Sequence, residues 1–99
     1  MLKKRVFKTK NEVEITFEHS SEPQDMVQLV AEFNNWQPLA MTYSKKHKVF
    51  RTAIRLPKDN DFQFRYLVNE QDWQNDHQAD RYLMNPYGTD NSVVSTHCH

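Results

Sequence analysis

The chain has 99 residues, 13 Lys+Arg against 13 Asp+Glu, and one cysteine. That length holds one domain around one modest core and excludes a (β/α)8 barrel, which takes about 250 residues. The charge balance gives no long-range pull toward nucleic acid or an anionic membrane. No stretch approaches the ~20 apolar residues of a membrane span, and Lys8-Thr9-Lys10-Asn11 stands where a signal peptide would need an apolar run. Cys98 has no second cysteine to pair with. A cytoplasmic protein without nucleic-acid or membrane partners is the simplest reading. Few but large apolar side chains, 12% aromatic within a hydrophobic fraction of 37%, suit a thin sandwich core. A single glycine leaves no flexible linker, and no repeat is visible.

The first eleven residues form a basic segment, with Lys3, Lys4, Arg5, Lys8 and Lys10 and an edge strand over 4–8; lysines on an edge discourage strand-to-strand aggregation. Glu12 to Glu18 alternates, with Val13, Ile15 and Phe17 on one face, which predicts a half-buried strand. Ser20 to Asp25 is a polar turn. Met26 to Phe33 follows as a strand with Val27, Leu29, Ala31 and Phe33 on one face, and Asn34-Asn35-Trp36-Gln37-Pro38 ends it. Asn tolerates turn dihedrals and Pro38 cannot continue a ladder, so Trp36 is carried out on a turn.

Met41–Tyr43 and Val49–Leu56 are partners across a charged turn. Asp61 to Asn69 is the strongest strand, with Phe62, Phe64, Tyr66 and Val68 on one face and Gln63, Arg65, Leu67 and Asn69 on the other. A polar hairpin, Asn69 to Asp72, leads to Trp73. Residues 74–86 read as irregular, anchored by Tyr82, Leu83 and Met84, and Ser92 to Ser95 as the last strand. The domain closes at residue 96, and the chain from Thr96 to His99 reads as a frayed end. Turn signals every 8 to 12 residues and no helical period predict an immunoglobulin-like sandwich of about seven to eight strands.

Trp36 and Trp73 each follow a strand end. If both rings sit at one end of the sandwich they form a double apolar platform, framed by Asn34, Asn35, Arg65, Gln71, Asn75, Thr89 and Asn91. Sugar rings, with C–H faces edged by hydroxyls, fit such a platform; the competing reading is that the rings cap the core. The carboxylates Glu70, Asp72, Asp76 and Asp80 read as solvated loop residues, because a glycosidase needs two carboxyls about 5 to 10 Å apart across a cleft. His19, His47 and His77 stand alone in polar turns, and His97-Cys98-His99 is too closely spaced to complete a metal site.

Glu32-Phe33-Asn34-Asn35-Trp36 resembles the (D/S)FNNW signature of family-48 carbohydrate-binding modules, the isoamylase N-terminal-like early-set domains. The family includes the glycogen-binding domain of the AMP-activated protein kinase β subunit. The likeness continues through Leu56-Pro57, Gln63 to Asn69 with Trp73, and Tyr87 to Val94, and so spans residues 12–95. The chain is also similar to stand-alone bacterial domains of this type.

The resemblance implies an early-set sandwich without catalytic activity or cofactor. It also implies binding to α-1,4-linked glucan, with a glycogen-metabolising enzyme as a further partner. Trp36 and Trp73 match the stacking tryptophans, Arg65 a lysine that bonds sugar hydroxyls, Asn91 an asparagine that bonds the glucan, and Thr89 a threonine at its edge. Asn35 belongs to the signature itself. Tyr87 stands where a leucine presses into the glucan, as a third platform or an obstruction. Gly88 fits the family's turn, with a positive φ as its reason. The alternative is a protein-interaction or scaffold domain on the same fold that no longer binds sugar.

Overall fold

The computed structural model describes residues 2–86 and 88–97. Ten strands run β1 Leu2–Val6, β2 Glu12–His19, β3 Val27–Ala31, β4 Leu39–Ala40, β5 Thr42–Ser44, β6 Val49–Pro57, β7 Asp61–Val68, β8 Asp72–Gln74, β9 Arg81–Met84 and β10 Asp90–Ser95. They form two antiparallel sheets. One has the order β1-β2-β6-β5; the other has the order β4-β3-β7-β10-β9, with β8 added to β7. No described helix is long and apolar enough to cross a membrane.

The two sheets make a β-sandwich because each long strand turns its alternate apolar residues to one side. Val13, Ile15 and Phe17 on β2 meet Val27, Leu29 and Ala31 on β3 and Phe64, Tyr66 and Val68 on β7 in one buried cluster. Phe17 contacts Phe64 edge-on, with ring centroids 5.0 Å apart, and Phe64 contacts Tyr66 in the same way at 5.6 Å. Each large apolar side chain removed from water in this layer contributes about 1.5–3 kcal/mol.

All seven predicted strands are present, β1 lies at an edge, and Gly88 has φ +81° as its turn requires. Three strands lie beyond the expectation: β4, β8 and β9 are too short for an alternating pattern and exist by pairing with β3, β7 and β10. The segment 74–86 is therefore not irregular throughout. Tyr82, Leu83 and Met84 do not anchor it in the core, because β9 is the sheet edge and Met84 is 77% exposed. Phe33 lies in a 3-10 turn, Glu32–Asn34, beyond the end of β3. From there its ring still packs on Phe17 and Phe62.

Thr96 is buried rather than frayed. Its hydroxyl donates to Pro57 O at 2.6 Å and its N–H to Asn60 O at 2.8 Å, which ties the chain end to the β6–β7 turn. Cys98 and His99 lie outside the described residues.

Two polar residues expected in solvent are structural. Asp76 is 1% exposed. Its carboxylate accepts from the Tyr66 hydroxyl at 2.7 Å and from Gln78 N–H at 2.7 Å, and its carbonyl accepts from the Tyr82 hydroxyl. Burial, with the Asp76 charge second, raises the Tyr66 hydroxyl far above its ordinary range, so it stays a donor. His19 ends β2 with its ring stacked on Tyr66 at 4.4 Å and Nε2 bonded to Gln74 Oε1 at 2.7 Å. Gln74 Oε1 only accepts, so His19 donates from Nε2.

Replacing Asp76 by Ala leaves buried donors unpaired and is expected to destabilise the fold by about 2–4 kcal/mol in urea unfolding. Burial lowers the His19 pKa below 6.5, against the raising effect of the Gln74 bond. The unfolded state then binds the proton more readily. This contribution to stability is complete above pH 6.5 and is lost as pH falls from 6.5 through the lower folded value. His19→Gln should flatten the urea midpoint across that window; an unchanged slope would show that His19 does not set it.

Candidate functional site

Trp36 and Trp73 face one groove, which they line with Arg65, Asn85, Pro86 and Asn91. The groove holds about 330 Å³. Arg65 has the opposite parity on β7 to the buried Phe64 and Tyr66, so the groove lies on the outer face of the six-stranded sheet. Both tryptophan rings are open to solvent, 44% and 47% exposed, and neither caps the inner core. Only Trp36 is on a loop; Trp73 belongs to β8, so the tryptophans do not both sit on end loops.

Trp36 is aimed by the turn its sequence builds. After β3 ends, Asn35 adopts φ 60° and Trp36 φ 61°. Trp36 N–H donates to Ala31 O at 2.7 Å and Asn35 N–H to Glu32 O at 3.1 Å, the two bonds of a Schellman closure. Asn34 closes the turn from inside, with Oδ1 accepting from Ala31 N–H at 3.1 Å. Glu32 Oε1 accepts from Gln63 N–H at 2.6 Å and so pins the turn to β7 where β3 has ended. A bulky side chain at positive φ is strained, and strain of this kind gathers where the fold holds a side chain for use.

Trp73 is aimed by the hairpin. Asn69 and Glu70 both have positive φ, 53° and 60°, as a tight antiparallel turn requires. Beyond it Trp73 pairs with Leu67 and shares the outer face with Arg65. The hairpin therefore leaves Trp73 on the groove side. The Arg65 guanidinium lies over the Trp73 ring, 5.4 Å from its centroid.

Asn91 enters the groove already occupied. It is 8% exposed, Nδ2 donates to Gln63 Oε1 at 2.9 Å, and Oδ1 accepts from Asn85 Nδ2 at 3.2 Å. Asn85 also donates to Thr89 Oγ1 at 2.7 Å, and Thr89 N–H donates back to Asn85 Oδ1 at 3.3 Å. Thr89 thus braces the loop and does not line the groove. Asn35 acts through its backbone and is also off the lining. Asn75 bonds Asp90 O and Ser92 Oγ in a neighbouring depression, and Tyr87 lies outside the described residues. The sequence reading missed Asn85 and Pro86; an Asn-Pro step two residues before the lone glycine is a turn signal that marks them.

A more enclosed cavity of about 250 Å³ is lined by Glu18, His19, Ser20, Val49, Gln74, His77 and Gln78. Three of its polar side chains already have partners. His19 bonds Gln74, and Glu18 lies 3.4 Å from Lys3 Nζ and 2.9 Å from Arg51 Nε, the latter an ion pair not aligned as a hydrogen bond. The groove differs in holding a guanidinium, that of Arg65, which has no ion pair among the described residues, with Nε buried and unbonded. The groove is therefore the candidate site.

No protein-family model matches the chain, and no curated protein matches it.

If left-handed geometry at Asn35 aims Trp36, Asn35→Gly should keep stability within about 0.5 kcal/mol, whereas Asn35→Val should cost about 1–2 kcal/mol. Urea unfolding of the two variants measures this, and equal midpoints would contradict it.

Proposed function

We propose that this protein is a non-catalytic α-glucan-binding module, similar to the family-48 modules of the immunoglobulin-like early-set class, that holds a glycogen- or starch-like chain in the Trp36–Trp73 groove. The observation that carries this reading is that the two tryptophans, Arg65 and Asn91, the positions the resemblance assigns to sugar contact, line one groove. Two flat apolar faces with polar groups between them suit a sugar chain that alternates C–H faces and hydroxyl edges. No carboxylate lines the groove among the described residues, and glycoside hydrolysis needs two across the bond. A shallow, wet site gives weak affinity, micromolar to millimolar for each site.

Asn91 enters this reading mainly as a brace for its neighbours. With its amide bonded at both ends, it orders Gln63 and Asn85 and offers the ligand little surface of its own.

A protein-docking role is favoured by one separate observation: β9 is a sheet edge with Tyr82, Leu83 and Met84 exposed. The two readings part on glycogen-affinity electrophoresis. The glucan reading expects retardation of the native protein that weakens at least about tenfold in Trp36→Ala and in Trp73→Ala, with urea midpoints retained. Absence of retardation in the native protein turns the assignment to the β9 edge.

A further inference from the structure

Among the described residues, Arg65 is a half-buried arginine that the fold leaves without an ion pair. Arg51 faces Glu18, Arg55 lies 3.9 Å from Glu14, and Arg81 is paired with Asp61. Arg5 lies 5.3 Å from the Phe7 ring centroid on an exposed edge, where water solvates it. Arg65 is half-buried, and among the described residues it has neither an ion pair nor a hydrogen bond. Its Nε is closed to water, and its one described polar or aromatic contact is the Trp73 ring. The groove around it contributes no carboxylate from the described residues: Trp36, Trp73, Asn85, Pro86 and Asn91 are all uncharged.

A guanidinium carries five N–H donors in a fixed planar fork. Held in a half-dry groove without an anion, those donors give up hydration and gain no matching charge. A neutral sugar hydroxyl accepts from the fork but leaves the charge uncompensated. An oxyanion accepts two parallel bonds and compensates the charge. Stacking on Trp73 fixes the plane of the fork and so sets where the oxyanion must lie.

We propose that the groove selects α-glucan chains bearing an anionic substituent, a phosphoryl ester or a carboxylate, which Arg65 clamps while Trp36 and Trp73 hold the sugar rings. This rests on the glucan reading above and adds the class of chain. The substituent is recognised and not transformed, so the module reports modified segments of a polymer to whatever acts on them.

Calorimetric titration tests it with four probes: maltoheptaose, maltoheptaose carrying one 6-phosphoryl group, maltoheptaose with its terminal glucose oxidised to glucuronic acid, and inorganic phosphate. At least one anionic oligosaccharide is expected to bind about tenfold tighter than the neutral one at low salt, with the advantage shrinking as salt rises. The tighter of the two identifies phosphoryl or carboxylate as the source. Arg65→Gln should bring the anionic and neutral chains to equal affinity. Arg65→Lys, which keeps the charge and loses the fork, should retain only part of the difference.

Equal affinity of all three oligosaccharides for the native protein overturns the proposal and leaves the glucan reading standing. Binding of none of them overturns both. Inorganic phosphate binding as tightly as the phosphorylated chain shows an anion site without sugar recognition, and that too overturns both.

Discussion

The structure depends on the contact between the inner faces of its two sheets, where Phe17 meets Phe64 and His19 stacks on Tyr66. This contact fixes the parity of β7, the strand that β3, β10 and β8 all pair with. Once Phe64 and Tyr66 point inward, Gln63, Arg65 and Leu67 must point outward. A slip of one residue would bury the guanidinium and expose the aromatics, at a cost the fold could not bear. The place of the groove is therefore decided in the core. Val30, Leu67 and Val93 share the outward parity of Arg65 and are nevertheless buried, outside the inner cluster. They give the outer face an apolar layer of its own on which the groove is built.

Three separate devices hold the lining. A Schellman turn presents Trp36, a two-residue positive-φ turn brings Trp73 back beside Arg65, and a run of hydrogen bonds from Gln63 through Asn91 and Asn85 to Thr89 braces the Asn85 and Asn91 wall. Each uses backbone or amide groups already satisfied within the protein. Of the lining side chains, the two rings, the guanidinium and Pro86 are left without a hydrogen bond among the described residues. Such a site is ordered before binding, so little conformational entropy is lost on association. In the proposed reading, stacking and one charge supply its specificity.

The alternating strands were legible because a period of two needs only a run of apolar residues: Val13, Ile15 and Phe17, or Phe62, Phe64 and Tyr66. The turn at Asn34-Asn35-Trp36 was legible from its chemistry, since asparagine tolerates the left-handed region. Strands β4, β8 and β9 were not, because two to four residues carry no period and their pairing is decided by the neighbouring strand. Asp76 and His19 looked like solvated loop residues. A polar side chain's burial depends on a partner distant in sequence, such as Ser92 for the Asp76 N–H, or on a ring such as Tyr66. The candidate site was legible as a set of residue types, and the division of labour within it was not. That Asn91 is occupied by its neighbours while Arg65 is unpaired follows from distances that no spacing reveals.

In the proposed reading, one groove, with Trp36 and Trp73 as its two platforms, is where this protein meets its ligand. The most direct measurement is a ¹⁵N–¹H NMR titration with maltoheptaose to several millimolar, following the two indole N–H signals and the backbone amides. The account predicts saturable shifts of both indole signals together, with the amides of Arg65 and Asn91 moving in step and those lining the Glu18–His19 cavity still. Shifts confined to that cavity, or movement of neither indole, would contradict it.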